Sequence, residues 1–275
     1  MKIRTAAELK IQSLFHYQSF ERPERLERIL NEGTIYLSNP KDFNDPWDCR
    51  PWFNKLALDD PREYERTVQW FVRCGRAHNG GMSEAERLRR QIEMRENRQL
   101  VERMIDLSSK EMESAIYSQY RVFCLTIHPD STLMWSHYAR AHTGVCLEFS
   151  VDNVLFCGAL PVEYLDSYPV FQICDEDLDA NLRPLLTKSA VWRCEHEFRL
   201  VATELPIRFP DVPAATQGFV ALPKGALKAV ILGCQMPAEH RARVRSLVRS
   251  SGPKVAVKAA ALLRDRYALE IQEAE

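Results

Sequence analysis

Between Ser13 and Ser19 the chain reads SLFHYQS, an alternation of aromatic and polar residues that predicts a half-buried strand. PERLERILNEG follows, with Pro23 at a helix start and Gly33 at its end, and TIYLS is the next strand. This strand–helix–strand unit runs into NPKDFNDPWD, whose two prolines and Asn/Asp cluster cannot continue a strand and must form an ordered loop. From Asp59 to about Tyr117 apolar residues recur at helical intervals. AHNGGMSEAE breaks that pattern once, with Gly80-Gly81 as the turn and Ser83 with Glu86 as a capping box for a long second helix.

Beyond the insertion, YRVFCLTI and GVCLEFSV predict strands, and TLMWSHYARAH between them predicts a short helix. AVWRCEHEFRLVAT and LKAVILG add strands, PAEHRARVRSLVRSS a helix begun by Pro237, and YALEIQ a closing strand. No internal repeat is present. The expected fold class is α+β: one domain over residues 1–275, a mixed, mostly antiparallel sheet with flanking helices, and a helical insertion over residues 59–117.

Composition narrows the classes of function. A chain of 275 residues, 45% hydrophobic, can bury a substantial core. It has neither an eighteen-residue apolar run nor the apolar core of a secretory signal at its start, so no membrane partner and a cytoplasmic location are expected. Its 37 basic and 38 acidic residues leave a formal net charge of -1, which lacks the electrostatic footprint of a dedicated nucleic-acid binder. Between Arg62 and Arg103, however, lie ten arginines and seven glutamates with no lysine or aspartate, a local pattern open to protein or RNA contact or to simple solvation. The eight cysteines include no C-x-x-C pair, which predicts buried, reduced thiols and no zinc site.

Candidate chemistry gathers in three places. Read as a strand, WRCEHEFRL puts Trp192, Cys194, His196, Phe198 and Leu200 on an apolar face and Arg193, Glu195, Glu197 and Arg199 on the other. Those four charges make either a structural ion-pair ladder or the lining of a cleft where a carboxylate acts as base or grips a ribose hydroxyl. In MWSHYARAH, His137 and His142 are about 140° apart around a helix, so they do not form a helical metal pair. Tyr138 and His142 share a face with Met134. In FNDPWD, Asn44 and Asp48 can accept from nearby backbone amides, and Pro46 holds Asp45 extended, so a self-bonded turn and a ligand-binding loop both fit. There is no Walker A, G-x-G-x-x-G or G-x-S-x-G sequence.

Taken in order, LFHYQSF, IYLSNPKDFNDPWD, LMWSHYARAHTGVCLEF, KSAVWRCEHEFRL and LKAVILG resemble the bacterial and phage family called domain of unknown function 2971. The resemblance spans nearly the whole chain outside the insertion. Its pattern falls on Tyr17, Asn44, Asp45, Pro46, Asp48, Trp135, His137, Tyr138, His142, Gly144, Lys188, Trp192, Glu195, Glu197 and Arg199. A signature so rich in polar residues implies a site, with Asn44 and Asp48 facing a ligand.

A second resemblance is to ADP-ribosyltransferase folds, whose His–Tyr–Glu layout is similar to His16, Tyr36 and Glu197 or Glu195 here. It implies NAD as cofactor, His16 on the ribose, Tyr36 stacking on nicotinamide, and a glutamate stabilising the oxocarbenium-like transition state. It leaves Asn44, Asp48 and His137 without a role. The resulting expectation is a polar cleft acting on a nucleotide-like ligand, as an NAD-dependent ADP-ribosyltransferase in phage defence or toxin biology. In that cleft Glu197, Glu195, His137 and Tyr36 are catalytic, and His16, Tyr17, Asn44, Asp45, Asp48, Tyr138, His142, Lys188 and Arg199 bind the ligand. Two alternatives stay open: a metal-assisted phosphodiester hydrolase using Asp45, Asp48, His137 and Glu197, and a non-catalytic protein- or RNA-binding module. All versions of the site require Asn44, Asp48, His137 and Glu197 to share one pocket.

Overall fold

A computed structural model of the chain describes residues 3–78, 83–168, 174, 178–204, 212–251 and 255–274. The first part holds β1 (Ser13–Gln18), α1 (Pro23–Asn31), β2 (Thr34–Tyr36), α2 (Pro61–His78), α3 (Glu84–Glu96), α4 (Arg98–Gln119), β3 (Tyr120–Thr126), α5 (Thr132–Tyr138) and β4 (Val145–Ser150). There follow β5 (Leu160–Pro161), β6 (Glu163–Leu165), α6 (Leu178–Leu186), β7 (Thr187–Ser189), β8 (Glu197–Thr203), β9 (Phe219–Ala221), β10 (Leu227–Leu232), α7 (Ala238–Ser250), β11 (Ala256–Leu262) and β12 (Leu269–Glu273).

Eight strands form one sheet in the order β12-β11-β10-β4-β1-β3-β8-β5. Every neighbouring pair is antiparallel except β10 and β11, which run parallel because α7 carries the chain back between them. The fold is therefore α+β with a mixed, mostly antiparallel sheet. The alternation of strand side chains builds a core on each face. Leu14, Phe123, Leu125, Leu147, Phe149, Phe198 and Leu200 meet α1 and α7 in the larger core. On the other face, Tyr17, Cys146 and Ile231 pack on Trp135 of α5, and Val122 and Val201 pack on Ile116, Leu185 and Leu186.

The insertion is helical and packs Val68, Phe71, Met94, Val101 and Ile105 into an apolar cluster with Phe53 of the preceding segment. It breaks a second time, at Asn97, whose side chain accepts from the Leu100 amide and starts α4. Ser83 caps α3 by accepting from the Glu86 amide. The Gly80-Gly81 turn lies outside the described residues.

One strand expectation changes, and one strand is new. The first half of WRCEHEFRL is not a strand: Ala190–Glu195 is a 3-10 helix, His196 is left-handed at φ 43°, and extended backbone begins at Glu197. Cys194 and His196 are accordingly exposed, and only Phe198 and Leu200 of that supposed apolar face enter the core. The alanine-rich β11, unassigned above, has helical propensity but is fixed as a strand by the ladders of β10 and β12. Cysteine burial is also uneven: all eight are free thiols, with Cys49, Cys146 and Cys174 buried and Cys194 exposed. Among the described residues, no helix is long and apolar enough to cross a membrane.

Candidate functional site

β1 and β3 share a single paired position, Phe15 with Thr126, and then part. Ser38, just past β2, takes over the vacated edge by exchanging both backbone hydrogen bonds with Val122. A cavity of about 350 Å³ opens where the strands separate, lined from β1 by Phe15, His16 and Tyr17 and from β3 by Val122, Phe123, Cys124 and Leu125. The volume falls in the range that suits a small-molecule ligand. The His16 ring bridges the gap: its Nδ1 lies 2.8 Å from the Cys124 carbonyl oxygen, which can only accept, so Nδ1 carries the proton and Nε2 is the acceptor. Burial holds His16 down at about 4, against an ordinary 6.5, and the hydrogen bond to Cys124 only partly offsets this. At neutral pH the ring is uncharged.

The floor is ionic. Asp48, Lys188, Glu195, Glu197 and Arg199 are each no more than 8% exposed. Arg199 donates from Nε to Glu197 at 2.8 Å, from Nη1 and Nη2 to Asp48 at 2.9 and 2.6 Å, and from Nη1 to the Leu185 carbonyl at 2.8 Å. Lys188 donates to Glu195 at 2.5 Å and to Glu197 at 3.0 Å. Two cations against three carboxylates leave this cluster with a formal charge of one negative. Such burial is tolerated because each charge is paired and hydrogen-bonded.

The cluster sets the ionisation of its members. Burial alone raises the Glu197 carboxyl, but Arg199 and Lys188 outweigh it and hold Glu197 at about 2. Burial likewise opposes the Lys188 charge, yet Glu197, Glu195 and Asp48 hold the ammonium well above the ordinary lysine range. Burial pushes the Cys49 and Cys124 thiols up, so neither is a thiolate at neutral pH. Tyr138, raised mainly by burial, stays a hydroxyl and donates to Glu195 at 2.6 Å.

Glu195 and Glu197 therefore differ in what they can do. Both Glu197 oxygens are taken by Arg199 and Lys188, and its backbone amide donates to the Tyr164 hydroxyl. Glu195, delivered by the 3-10 turn, keeps one oxygen on Tyr138 and the other on Lys188. Its position owes nothing to a strand period of two, because the left-handed His196 stands between the glutamates. Arg193 is exposed and plays no part; Lys188 is the second cation of the cluster.

The cavity gathers Asn44, Asp48, His137 and Glu197, together with His16, Tyr17, Tyr138, Lys188 and Glu195. His137 and Asn44 are exposed at its rim, with Trp192 6.5 Å from the His137 ring and 5.1 Å from the Lys188 ammonium. Ser38, Asp42, Phe43 and Cys124 also line it. Those four escaped the sequence reading: what signalled a site there was charge in odd places, and these side chains are ordinary for a loop or strand.

Four expected site residues lie elsewhere. Tyr36 is 46% exposed and packs its ring on Phe219, because β2 pairs with β9 and turns the side chain away. Asp45 is spent on the turn, its carboxylate accepting from the Trp47 amide at 2.9 Å. This is the role anticipated for Asn44 and Asp48, whereas Asp48 goes to Arg199. Arg199 is wholly buried behind Glu197 and does not line the cavity. His142 sits beyond the end of α5 in a run of left-handed residues, Arg140, Ala141 and His142, and meets Trp135 and Cys234 instead. The helical rotation expected between His137 and His142 does not apply, since α5 ends at Tyr138.

Five of the insertion's ten arginines are paired with its own acids: Arg66 to Glu63, Arg87 to Glu84, Arg90 to Glu86, Arg95 to Glu65, and Arg98 to Asp59 and Glu102. Compared with known protein families, with curated proteins and with solved structures, the chain matches none. The reading of the site rests on its geometry.

Proposed function

We propose that this cavity binds a nucleotide-like ligand and that the protein acts on it at a glycosidic carbon, with NAD as the donor and ADP-ribosyl transfer or hydrolysis as the reaction. The observation that carries this is Glu195, a carboxylate fixed by Tyr138 and Lys188 at the floor of a cavity that His16 also lines. Loss of nicotinamide from NAD breaks the C1′–N bond, sends the electron pair to the leaving nicotinamide and puts positive charge on the ribose. A negatively charged, water-poor floor stabilises that charge more strongly than bulk water does. In this reading Glu195 faces the oxocarbenium-like carbon, and the acceptor Nε2 of neutral His16 takes a ribose hydroxyl. Phe43 offers the stacking surface in place of Tyr36, and Glu197, Arg199 and Asp48 hold the floor in position.

The metal-assisted alternative is less well supplied with donors. Asp45 is bonded to its own turn, and Asp48 and Glu197 are paired with Arg199. Nicotinamide release from NAD by the purified protein, together with NAD-dependent protection against thermal unfolding, tests the proposal. Turnover or protection that disappears in Glu195→Gln supports it. Neither turnover nor protection over the full range of donor concentration would overturn it, and would favour the binding module.

A further inference from the structure

Asp48 and Lys188 line a second, smaller cavity of about 260 Å³, bounded by Trp47, Arg50, Asp166, Tyr168, Thr187 and Ser189 among others. Its size suits one long side chain rather than a whole nucleotide, since drug-sized ligands start at roughly 300 Å³. Two of its walls are aromatic rings, Trp47 and Tyr168, and a third ring, Trp52, packs on Tyr168 beside the cavity. Trp47 is 68% and Trp52 52% exposed, and both stand at steep angles to the Tyr168 ring, 63° and 82°, with centroids 6.0 and 6.3 Å away. Trp47 and Tyr168 thus give the cavity two ring walls at a steep angle to each other, a partial box and not a flat platform for a base, and Trp52 buttresses Tyr168 from outside the lining. The Tyr168 hydroxyl donates to the Arg50 carbonyl, which anchors the central ring.

The charge around this box is negative. The five-residue cluster behind it carries one net negative charge, Arg50 is matched by Glu113 at 3.2 Å, and no described cation pairs with Asp166. Aromatic faces add their own negative quadrupoles and attract cations. The hydroxyls of Thr187 and Ser189 and the Asp166 carboxylate supply acceptors that a planar, five-donor cation can use and a quaternary ammonium cannot. We infer that this second cavity is a recognition site for a guanidinium group, and that its occupant is an arginine side chain. The inference stands on the box itself and holds whether or not the first cavity turns over NAD.

The test uses full-length protein and three small probes: N-acetyl-arginine amide, its neutral isostere N-acetyl-citrulline amide, and N-acetyl-lysine amide. The readout is the NMR shift of the Trp47 and Trp52 indole N–H signals during titration. The arginine probe should give a saturable shift, with the citrulline probe weaker by about tenfold or more. Trp47→Phe should keep binding and Trp47→Ala should lose it; both substitutions fall on an exposed ring, and Asp166→Asn, also exposed, gives an independent loss of affinity if either variant folds poorly. Equal binding of citrulline would show that the box reads shape and not charge. Equal binding of lysine would remove the guanidinium assignment, and a shift that survives in Trp47→Ala, or no saturable shift at all, would remove the site.

Discussion

Arg199 and Asp48 meet through two parallel hydrogen bonds across 151 positions of sequence, with the guanidinium wholly buried. This pair ties the FNDPWD loop to β8 and so fixes the distance between the rim and the floor of the cavity. Removing the arginine leaves three buried carboxylates sharing one lysine. Arg199→Leu should therefore cost about 3–5 kcal/mol, and Asp48→Asn about 1–3 kcal/mol, in urea unfolding. The exposed pair of Arg98 and Glu102 is the control: breaking it should leave the urea midpoint close to that of the parent. An Arg199→Leu protein as stable as that control would mean the cluster does not hold the loop.

Acid should expose the same cluster. Glu197 sits at about 2 in the folded protein against an ordinary 4.5, so the unfolded chain takes the proton first as pH falls. Its stabilisation is complete above about 4.5 and is lost as pH drops through about 2, amounting to about 3 kcal/mol if Glu197 titrated alone. Glu197→Gln should lower stability at neutral pH and flatten the stability curve across that window. A variant with the same acid slope as the parent would assign the transition to other carboxylates.

His16 predicts a separate window with a different origin. Its folded value is lowered to about 4 from 6.5, so the unfolded state again binds the proton first, here because the folded ring resists becoming charged. Stability should fall as pH goes from about 6.5 to about 4 and stop changing on this account below that. His16→Phe removes this titration: whatever constant cost it carries, its stability should decline less steeply than the parent's across the window, the remaining slope including that of His142, which burial also lowers. Chemical unfolding at half-unit pH steps would separate this from the Glu197 transition.

The glycines around His142 explain part of a motif that reads as functional. A Cβ on Gly144 would lie 2.3 Å from the Gln18 carbonyl oxygen, and one on Gly233 would lie 2.0 Å from the His142 carbonyl oxygen. Both backbones are pressed against neighbouring carbonyls that cannot move aside cheaply. Gly144→Ala should thus cost about 3 kcal/mol or more in thermal or urea unfolding, whereas Gly158→Ala, with nothing within 4 Å, should stay near neutral. Near-equal effects would show that the H-x-G spacing is kept for some other reason.

What could be read from the sequence was what a local rule or a misplaced charge reveals. Alternation gave β1, strand-like apolar runs gave β3, β4 and β10, and Pro23 and Pro237 marked helix starts that the structure keeps. The convergence of Asn44, Asp48, His137 and Glu197 was legible because four polar motifs in different segments are each odd alone and make sense together as one site. The side-chain directions were not legible. Tyr36 turns outward because β2 finds β9, a long-range pairing with no local signal. The two glutamates reach Lys188 by a left-handed residue that period-two logic cannot represent. His142 leaves the site through a left-handed turn whose tight approaches come from Gly144 and from Gly233, just past the end of β10.

Glu195 and Glu197 supply the sharpest division between holding the fold and doing chemistry. Both are buried and both bond to Lys188, so burial alone cannot rank them. Their other partners do: Glu197 is bonded to Arg199 through both oxygens, whereas the second oxygen of Glu195 meets only the neutral hydroxyl of Tyr138. Glu197→Gln should therefore lower stability by about 1–3 kcal/mol and reduce activity mainly with the folded fraction. Glu195→Gln leaves Lys188 on Glu197 and near Asp48, and should change stability less while lowering turnover of NAD about a hundredfold or more, the scale of a lost transition-state charge. Tyr138→Phe should fall between them, with little change in stability and a turnover lower by about tenfold, because the carboxylate stays but is no longer aimed. Melting curves paired with rates per folded molecule distinguish the roles. If Glu197→Gln abolishes turnover at full folding while Glu195→Gln is unaffected, the two assignments must be exchanged, and the ion pair with Arg199 must open when the ligand binds.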